Sequence, residues 1–294
     1  MSEKHPRIAF WGTPRFAVCI LDELEKAGFV PELVITAPDR PAGRNLTITP
    51  PPVKLWAKER GIAVLQPEKL TEEVLRTLAS QKRFDLFIVA AYGLIIPEKF
   101  LSLPRHGVLN VHPSLLPKLR GPSPVQTAIL TENETGVSIM LLDAEMDHGP
   151  VIAQKKVVSW KGAPEKIPKA SDLEQLLAHE GGRLLAECIP GWIAGTVTAR
   201  EQDHARATYT KKIAKRDGLL DMHGDPEEAF RKIRSFDRWP RAHFFAEKNG
   251  KKMRVIVTDA AYAGNKLVIT KVLPEGGKET DYAVFLKNNP DIRF

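Results

Sequence analysis

The sequence predicts an open, doubly wound and mostly parallel α/β sheet with a smaller β-type module behind it. Three observations predict this. Short apolar runs alternate with helical patterns over the first two thirds of the chain, the signature of strands joined by crossover helices. One run, residues 84–90, is almost continuously hydrophobic, as a strand covered on both faces must be. Beyond about residue 207 the pattern changes to short β-type runs separated by Gly-containing turns, which favours a small barrel.

Taken in order, residues 7–11 form an apolar run ending in Gly12-Thr-Pro14, and residues 16–27 carry helical spacing that stops at Gly28. This is strand, tight turn, helix. A second strand is expected over 31–36, followed by a Pro/Gly/Arg-rich loop over 37–52. Residues 53–60 read as helix, 63–65 as strand, 72–80 as helix and 84–90 as strand, with further strands over 107–111 and 137–143. A long amphipathic helix spans about 171–192. Past it lie a helix over about 226–236 and β-type runs over 253–257, 266–272 and 282–286. The composition shift near 191–207 places a first domain over 1–190, a linker over 191–206 and a basic domain over 207–294.

At 294 residues, 43% hydrophobic and 27% charged, the chain has the composition of a folded globular protein and is too apolar for a disordered one. The longest apolar stretch, residues 86–96, is about half of what a membrane helix requires. The polar residues 1–7 lead straight into a strand rather than a secretory signal, so a cytoplasmic location is expected. Cys19 and Cys188 lack metal-ligand spacing and read as small buried hydrophobes. The charge is uneven: residues 207–294 hold 18 Lys/Arg against 12 Asp/Glu, and residues 1–206 hold 25 against 24. A basic module attached to a nearly neutral one points to a polyanionic partner for the former and separate chemistry for the latter.

The first strand-turn-helix lacks the Gly-x-Gly-x-x-Gly spacing that lets a backbone approach a pyrophosphate, so a dinucleotide is not expected. In open α/β sheets the ligand lies beyond the C-terminal strand ends, and two apolar runs end there in polar groups. The first offers Asn110 and His112, two residues apart and therefore on one side of an extended chain. Asn can donate to an oxyanion, and His exchanges protons near neutral pH. The second, residues 141–150, carries Asp143, Glu145 and Asp147 as candidate orienting carboxylates.

With Ser114-Leu-Leu-Pro117 following His112, and an Asp-x-Gly turn at Asp147 some thirty residues later, the sequence resembles the folate-dependent formyltransferases. Phe10-Trp-Gly-Thr-Pro14, the loop from Pro38 to Arg44, Ala91-Tyr-Gly93, Thr135-Gly-Val137 and the segment from Gln202 to Ile213 resemble the branch of that family that formylates methionyl-tRNA. The resemblance implies a Rossmann-like catalytic sheet and a C-terminal barrel similar to an OB-fold. It implies Asn110, His112 and Asp147 as the catalytic trio, with Ser114, Leu115, Leu116 and Pro117 holding the folate, and Tyr92, Gly93, Leu94, Ile95 and Ile96 as a further wall of that pocket. It also implies 10-formyltetrahydrofolate as co-substrate, no metal, initiator methionyl-tRNA as partner, and a monomer. Arg40 and Arg44 would enter the acceptor stem, and Lys211, Lys212 and Lys215 would track phosphates. Met222 and the stretch 236–242 depart from the family pattern.

Two other readings compete. A formyltransferase for a glycinamide or amino-sugar nucleotide would lack the basic domain or the loop from Pro38 to Arg44. A non-catalytic RNA-binding relative would not need Asn110, His112 and Asp147 together.

Overall fold

The computed structural model describes residues 5–43, 46–248 and 250–292. In chain order the elements are β1 (Ile8–Gly12), α1 (Arg15–Lys26), β2 (Leu33–Ile35), β3 (Arg40–Ala42), β4 (Thr47–Thr49), α2 (Pro52–Glu59), β5 (Ala63–Leu65), α3 (Glu72–Ala79), β6 (Leu86–Ala90), α4 (Glu98–Leu101), β7 (Val108–His112), α5 (Pro124–Thr131), β8 (Glu134–Leu141) and β9 (Val151–Ser159). Then come α6 (Ala170–Ile193), α7 (Pro226–Ser235), β10 (His243–Lys248), β11 (Lys251–Ala263), β12 (Lys266–Pro274), β13 (Thr280–Asp281) and α8 (Tyr282–Lys287).

Seven strands form the main sheet in the order β5-β2-β1-β6-β7-β8-β9. Strands β5, β2, β1, β6 and β7 pair in parallel, and β8 runs antiparallel to β7 with His112 opposite Ser138. The chain starts on β1, builds outward to β5, then returns to lay β6 on the other side of β1. The crevice for a ligand therefore opens beyond Gly12, Ala90 and His112. Residues alternate strictly between two cores. Ile8, Phe10, Val34, Leu86, Ile88, Leu109 and Val111 pack with apolar residues of α1, α2 and α6 on one face. Ala9, Trp11, Leu33, Ile35, Phe87, Val89 and Val108 pack with Leu78, Tyr92 and Phe100 on the other. Helices cover both faces, which is why these strands are apolar on both sides up to Asn110 and His112 at the end of β7.

The long helix α6 carries Gly181 and Gly182 in mid-helix, where glycine lowers helix stability by about 1 kcal/mol. Close packing explains them: a Cβ on Gly181 would stand 2.6 Å from Val111, and one on Gly182 would stand 2.8 Å from Glu23 Cβ.

The described chain divides into two compact units. One comprises residues up to Arg120, Gly136–Val157 and Gln175–Thr208, and the other Gly121–Thr135, Val158–Glu174 and the chain from Tyr209 onward. The segment read from composition as a linker, 191–206, thus packs within the first unit. The second unit holds an antiparallel sheet in the order β10-β11-β12-β13, with an irregular register near Asp259. Asp225 caps α7 by accepting from the Glu227 and Glu228 amides. Arg231 on α7 donates to the carbonyls of Ile129 and Glu132 at 2.9 and 2.8 Å, tying α7 to the end of α5.

Two expectations are corrected here. Residues 282–286, read as a β-type run, form helix α8: a five-residue apolar run does not separate strand from helix, and Phe285 is buried with its ring stacked on Tyr282, three residues earlier. The loop over 37–52 contains the hairpin β3-β4, with Arg40 opposite Thr49. Its base is anchored by Asp39, which accepts from Lys54 Nζ at 2.7 Å and from Gln66 Nε2 at 2.8 Å.

Candidate active site

Asn110 and His112 occupy the last three residues of β7 and lie on the face that carries Val108, the side of Trp11 and Tyr92. Both side chains are buried at a strand end rather than in mid-sheet. The His112 Nε2 lies 3.0 Å from the carbonyl oxygen of Leu119. A carbonyl only accepts, so Nε2 carries the hydrogen and Nδ1 is the basic nitrogen of the neutral ring. Nδ1 faces Asp147 Oδ1 at 3.6 Å, too long for a direct hydrogen bond but within ion-pair reach once Nδ1 takes a proton. The Asp147 carboxylate is 14% exposed, so it remains in contact with solvent while lying beside the ring. Of the three carboxylates expected near this strand end, Asp147 is the one beside His112. Asp143 instead accepts from His148 Nδ1 at 2.7 Å, and Glu145 is exposed.

The loop after His112 is held from within. The Ser114 hydroxyl donates to the Lys118 carbonyl at 2.7 Å, so its side chain closes the turn. Leu116 is buried, while Leu115 and Pro117 are half-buried. The Ser138 hydroxyl donates to the Ser114 carbonyl at 2.6 Å and accepts from the Leu116 amide at 3.1 Å. Gln154 Nε2 donates to the Leu116 carbonyl at 2.9 Å. Across the crevice Tyr92 is buried, with burial pushing its phenol up to about 12. Gly93, Leu94 and Ile95 are exposed and Ile96 is half-buried. Ile95 is 81% exposed, a large apolar side chain at the mouth of the crevice.

Sequence reading missed a buried pair here. Arg120 and Gln202 are 1% and 6% exposed. Arg120 Nε and Nη2 donate to Gln202 Oε1 at 3.1 and 2.8 Å. Gln202 Nε2 in turn donates to the carbonyls of Asp147 and Gly149 at 3.0 and 2.7 Å. No short-range pattern marks these residues, because they are 82 positions apart and lie in irregular segments.

Among the residues expected to meet a polyanion, Arg40 is exposed on the hairpin, and Lys211, Lys212 and Lys215 are exposed in the second unit. Arg44 lies outside the described residues. Cys19 and Cys188 are buried, and burial pushes the Cys188 thiol up to about 11.

The sequence profile described as Formyl transferase matches residues 6–184. The chain belongs to the formyl transferase family. It is 42% identical over 272 residues to the methionyl-tRNA formyltransferase of Chloroflexus aurantiacus, covering 92% of this chain and 86% of the relative. It is 40% identical over 252 residues to the methionyl-tRNA formyltransferase of Bacillus subtilis, covering 85% and 77%. Solved structures at lower identity share the fold of this family. A 4-N formyltransferase from Francisella tularensis superposes with a TM-score of 0.63 at 18% identity, covering 84% of this chain and 95% of that one. The N-formyltransferase of Helicobacter canadensis, solved with folinic acid and dTDP-3-aminofucose, gives 0.63 at 19% identity, covering 88% of each.

Proposed function

We propose that this chain transfers the formyl group of 10-formyltetrahydrofolate to the α-amine of methionine carried by initiator tRNA. The observation that carries the reading is the cluster of Asn110, His112 and Asp147 at the crevice of a chain 42% identical over 92% of its length to a methionyl-tRNA formyltransferase.

The crevice fits a folate by its chemistry. Exposed Leu94 and Ile95 offer apolar surface to an aromatic ring. The irregular backbone from Ala91 to Pro97 can meet the polar edge of a pterin. The loop from Ser114 to Pro117, pinned by Ser138 and Gln154, forms a rigid opposite wall. Bound there, 10-formyltetrahydrofolate supplies the formyl carbon.

The side chains then divide the work. Asn110 donates to the formyl oxygen as negative charge builds on it, and a preorganised donor of this kind typically contributes about a hundredfold or more in rate. His112, with Nε2–H committed to Leu119, takes the proton shed by the attacking amine at Nδ1 and can return it to the leaving folate nitrogen. Asp147 faces the nitrogen that becomes charged and balances it. Holding both substrates in line supplies much of the remaining rate.

The second unit supports the polyanionic half of the reading. Lys211, Lys212, Lys215 and Arg216 are exposed, and no acid falls between Ala205 and Arg216. Such a run neutralises phosphates whatever the base sequence. Its four-stranded antiparallel sheet supports an OB-like reading, and Arg40 on the hairpin is free to meet an acceptor stem. The protein then works in the cytoplasm as a monomer.

The deciding experiment incubates the protein with methionyl-initiator tRNA and 10-formyltetrahydrofolate and assays formyl-methionine after mild hydrolysis. Formyl-methionine is expected. Its absence with folded protein, alongside formylation of an amino-sugar nucleotide, would transfer the assignment to the sugar-modifying reading.

A further inference from the structure

We propose that Arg120 and Gln202 are positioning residues for this formyl transfer, a buried brace that holds the turn from Asp147 to Gly149 so that the Asp147 carboxylate faces Nδ1 of His112. The proposal rests on the reaction assigned above.

The turn needs holding. Asp147 has φ +52°, in the left-handed region that non-glycine residues keep only when their surroundings over-determine it. The surroundings here do so at each of the three residues. Gln202 Nε2 grips the carbonyls of Asp147 and Gly149. The ring of His148, between them, stacks on His204 at 4.1 Å with 6° between the planes. Arg120 Nη2 donates to Nδ1 of that same His204 at 2.9 Å. One guanidinium therefore secures the carboxamide that holds the two carbonyls and the ring that holds His148. Gly149 is pressed against β8 as well: a Cβ there would stand 2.0 Å from the Leu141 carbonyl.

The brace has one polarity. A guanidinium only donates and a backbone carbonyl only accepts, so the Gln202 oxygen must face Arg120 and its nitrogen must face the turn. The same short segment also sets the imidazole, because Leu119, next to Arg120, accepts from His112 Nε2. Thr208 pins that segment: its hydroxyl accepts from the Leu119 amide and its carbonyl from the Arg120 amide, both at 2.9 Å. His112 and Asp147 thus share one support, in which Gln202 and His204 come from the stretch that composition reads as a linker and Thr208 from just beyond it.

The polarity supplies the test. Gln202→Glu keeps the size and the acceptor for Arg120 but removes the donor that grips the two carbonyls. Initial rates of methionyl-tRNA formylation are measured for the wild type, Gln202→Glu, Asp147→Asn and the double variant. Gln202→Glu is expected to lower kcat about 10- to 100-fold, with KM for each substrate within about threefold of wild type. In the Asp147→Asn background the same change is expected to cost less than about threefold, since the carboxylate it aims is already gone. Arg120→Lys, which keeps the charge but loses the fork, is run through the same cycle and is expected to show the same non-additivity. Equal factors in both backgrounds, or a rise in KM with kcat unchanged, would overturn the proposal. So would failure of both variants to fold by circular dichroism, which would make the pair a stability element alone. Wild-type turnover reports on the assigned reaction separately from the brace.

Discussion

Replacing Glu23 by glutamine is expected to destabilise the protein at neutral pH and to leave it nearly as stable as the wild type in acid. Glu23 sits on α1 with a side chain 6% exposed. Burial pushes its carboxyl up, but hydrogen bonds from Lys26 at 2.8 Å, His179 at 2.9 Å and Arg183 at 3.2 Å outweigh burial and bring it from the ordinary 4.5 to about 2. At about 1.4 kcal/mol per tenfold change in proton affinity, that gap amounts to about 3 kcal/mol of folding free energy. Lys26 and Arg183 are largely exposed, so solvent screening trims it to about 2 to 3 kcal/mol. The folded value lies below the unfolded one. The contribution is therefore complete above about pH 4.5 and is lost as the pH falls towards 2, with more than half gone by about pH 3. Urea midpoints followed by circular dichroism at pH 7, 5, 4 and 3 read the gap between wild type and Glu23→Gln. A gap that stays constant across this series would refute the reasoning, because the loss would then come from packing rather than from charge.

Three further outcomes are expected. Asn110→Ala lowers kcat for formyl transfer by about a hundredfold or more while KM for methionyl-tRNA changes little, because the donor acts on charge that develops only during reaction; steady-state kinetics decide it. Changing Lys211, Lys212 and Lys215 together to alanine weakens tRNA binding at moderate salt and flattens the log–log salt dependence by about 2 to 3, with kcat at saturating tRNA preserved; filter binding across a salt series measures this. Gly136→Ala costs at least about 2 kcal/mol, since a Cβ there would stand 2.1 Å from the Lys155 carbonyl and neither backbone can yield freely; thermal melting shows it.

Where local periodicity decides an element, the sequence was legible. Strands β1, β2, β5, β6 and β7 and helices α1, α2, α3, α6 and α7 declare themselves through apolar runs and helical spacing, because each buries a face too regular to mistake. Elements whose form depends on what they pack against did not. Helix α5 is bounded by prolines and small polar residues, β9 carries mixed polar residues on a half-exposed strand, and α8 looks like a strand until Phe285 and Tyr282 stack.

The site divides along the same line. Sequence by itself placed Asn110 and His112 on one side of a strand end, because an extended chain has a period of two and the covalent order alone enforces it. It also located the basic surplus in the last third, which is a matter of counting. Strand pattern left Asp143, Glu145 and Asp147 open, and only the family resemblance singled out Asp147. Tertiary structure shows that Asp147 comes to face His112, and it alone decided that Arg120 and Gln202 meet behind it. Those contacts join residues 35 and 82 positions apart, and no local pattern encodes them. They exist because burying a sheet on both faces leaves each loop one place to go, where its polar groups must find partners.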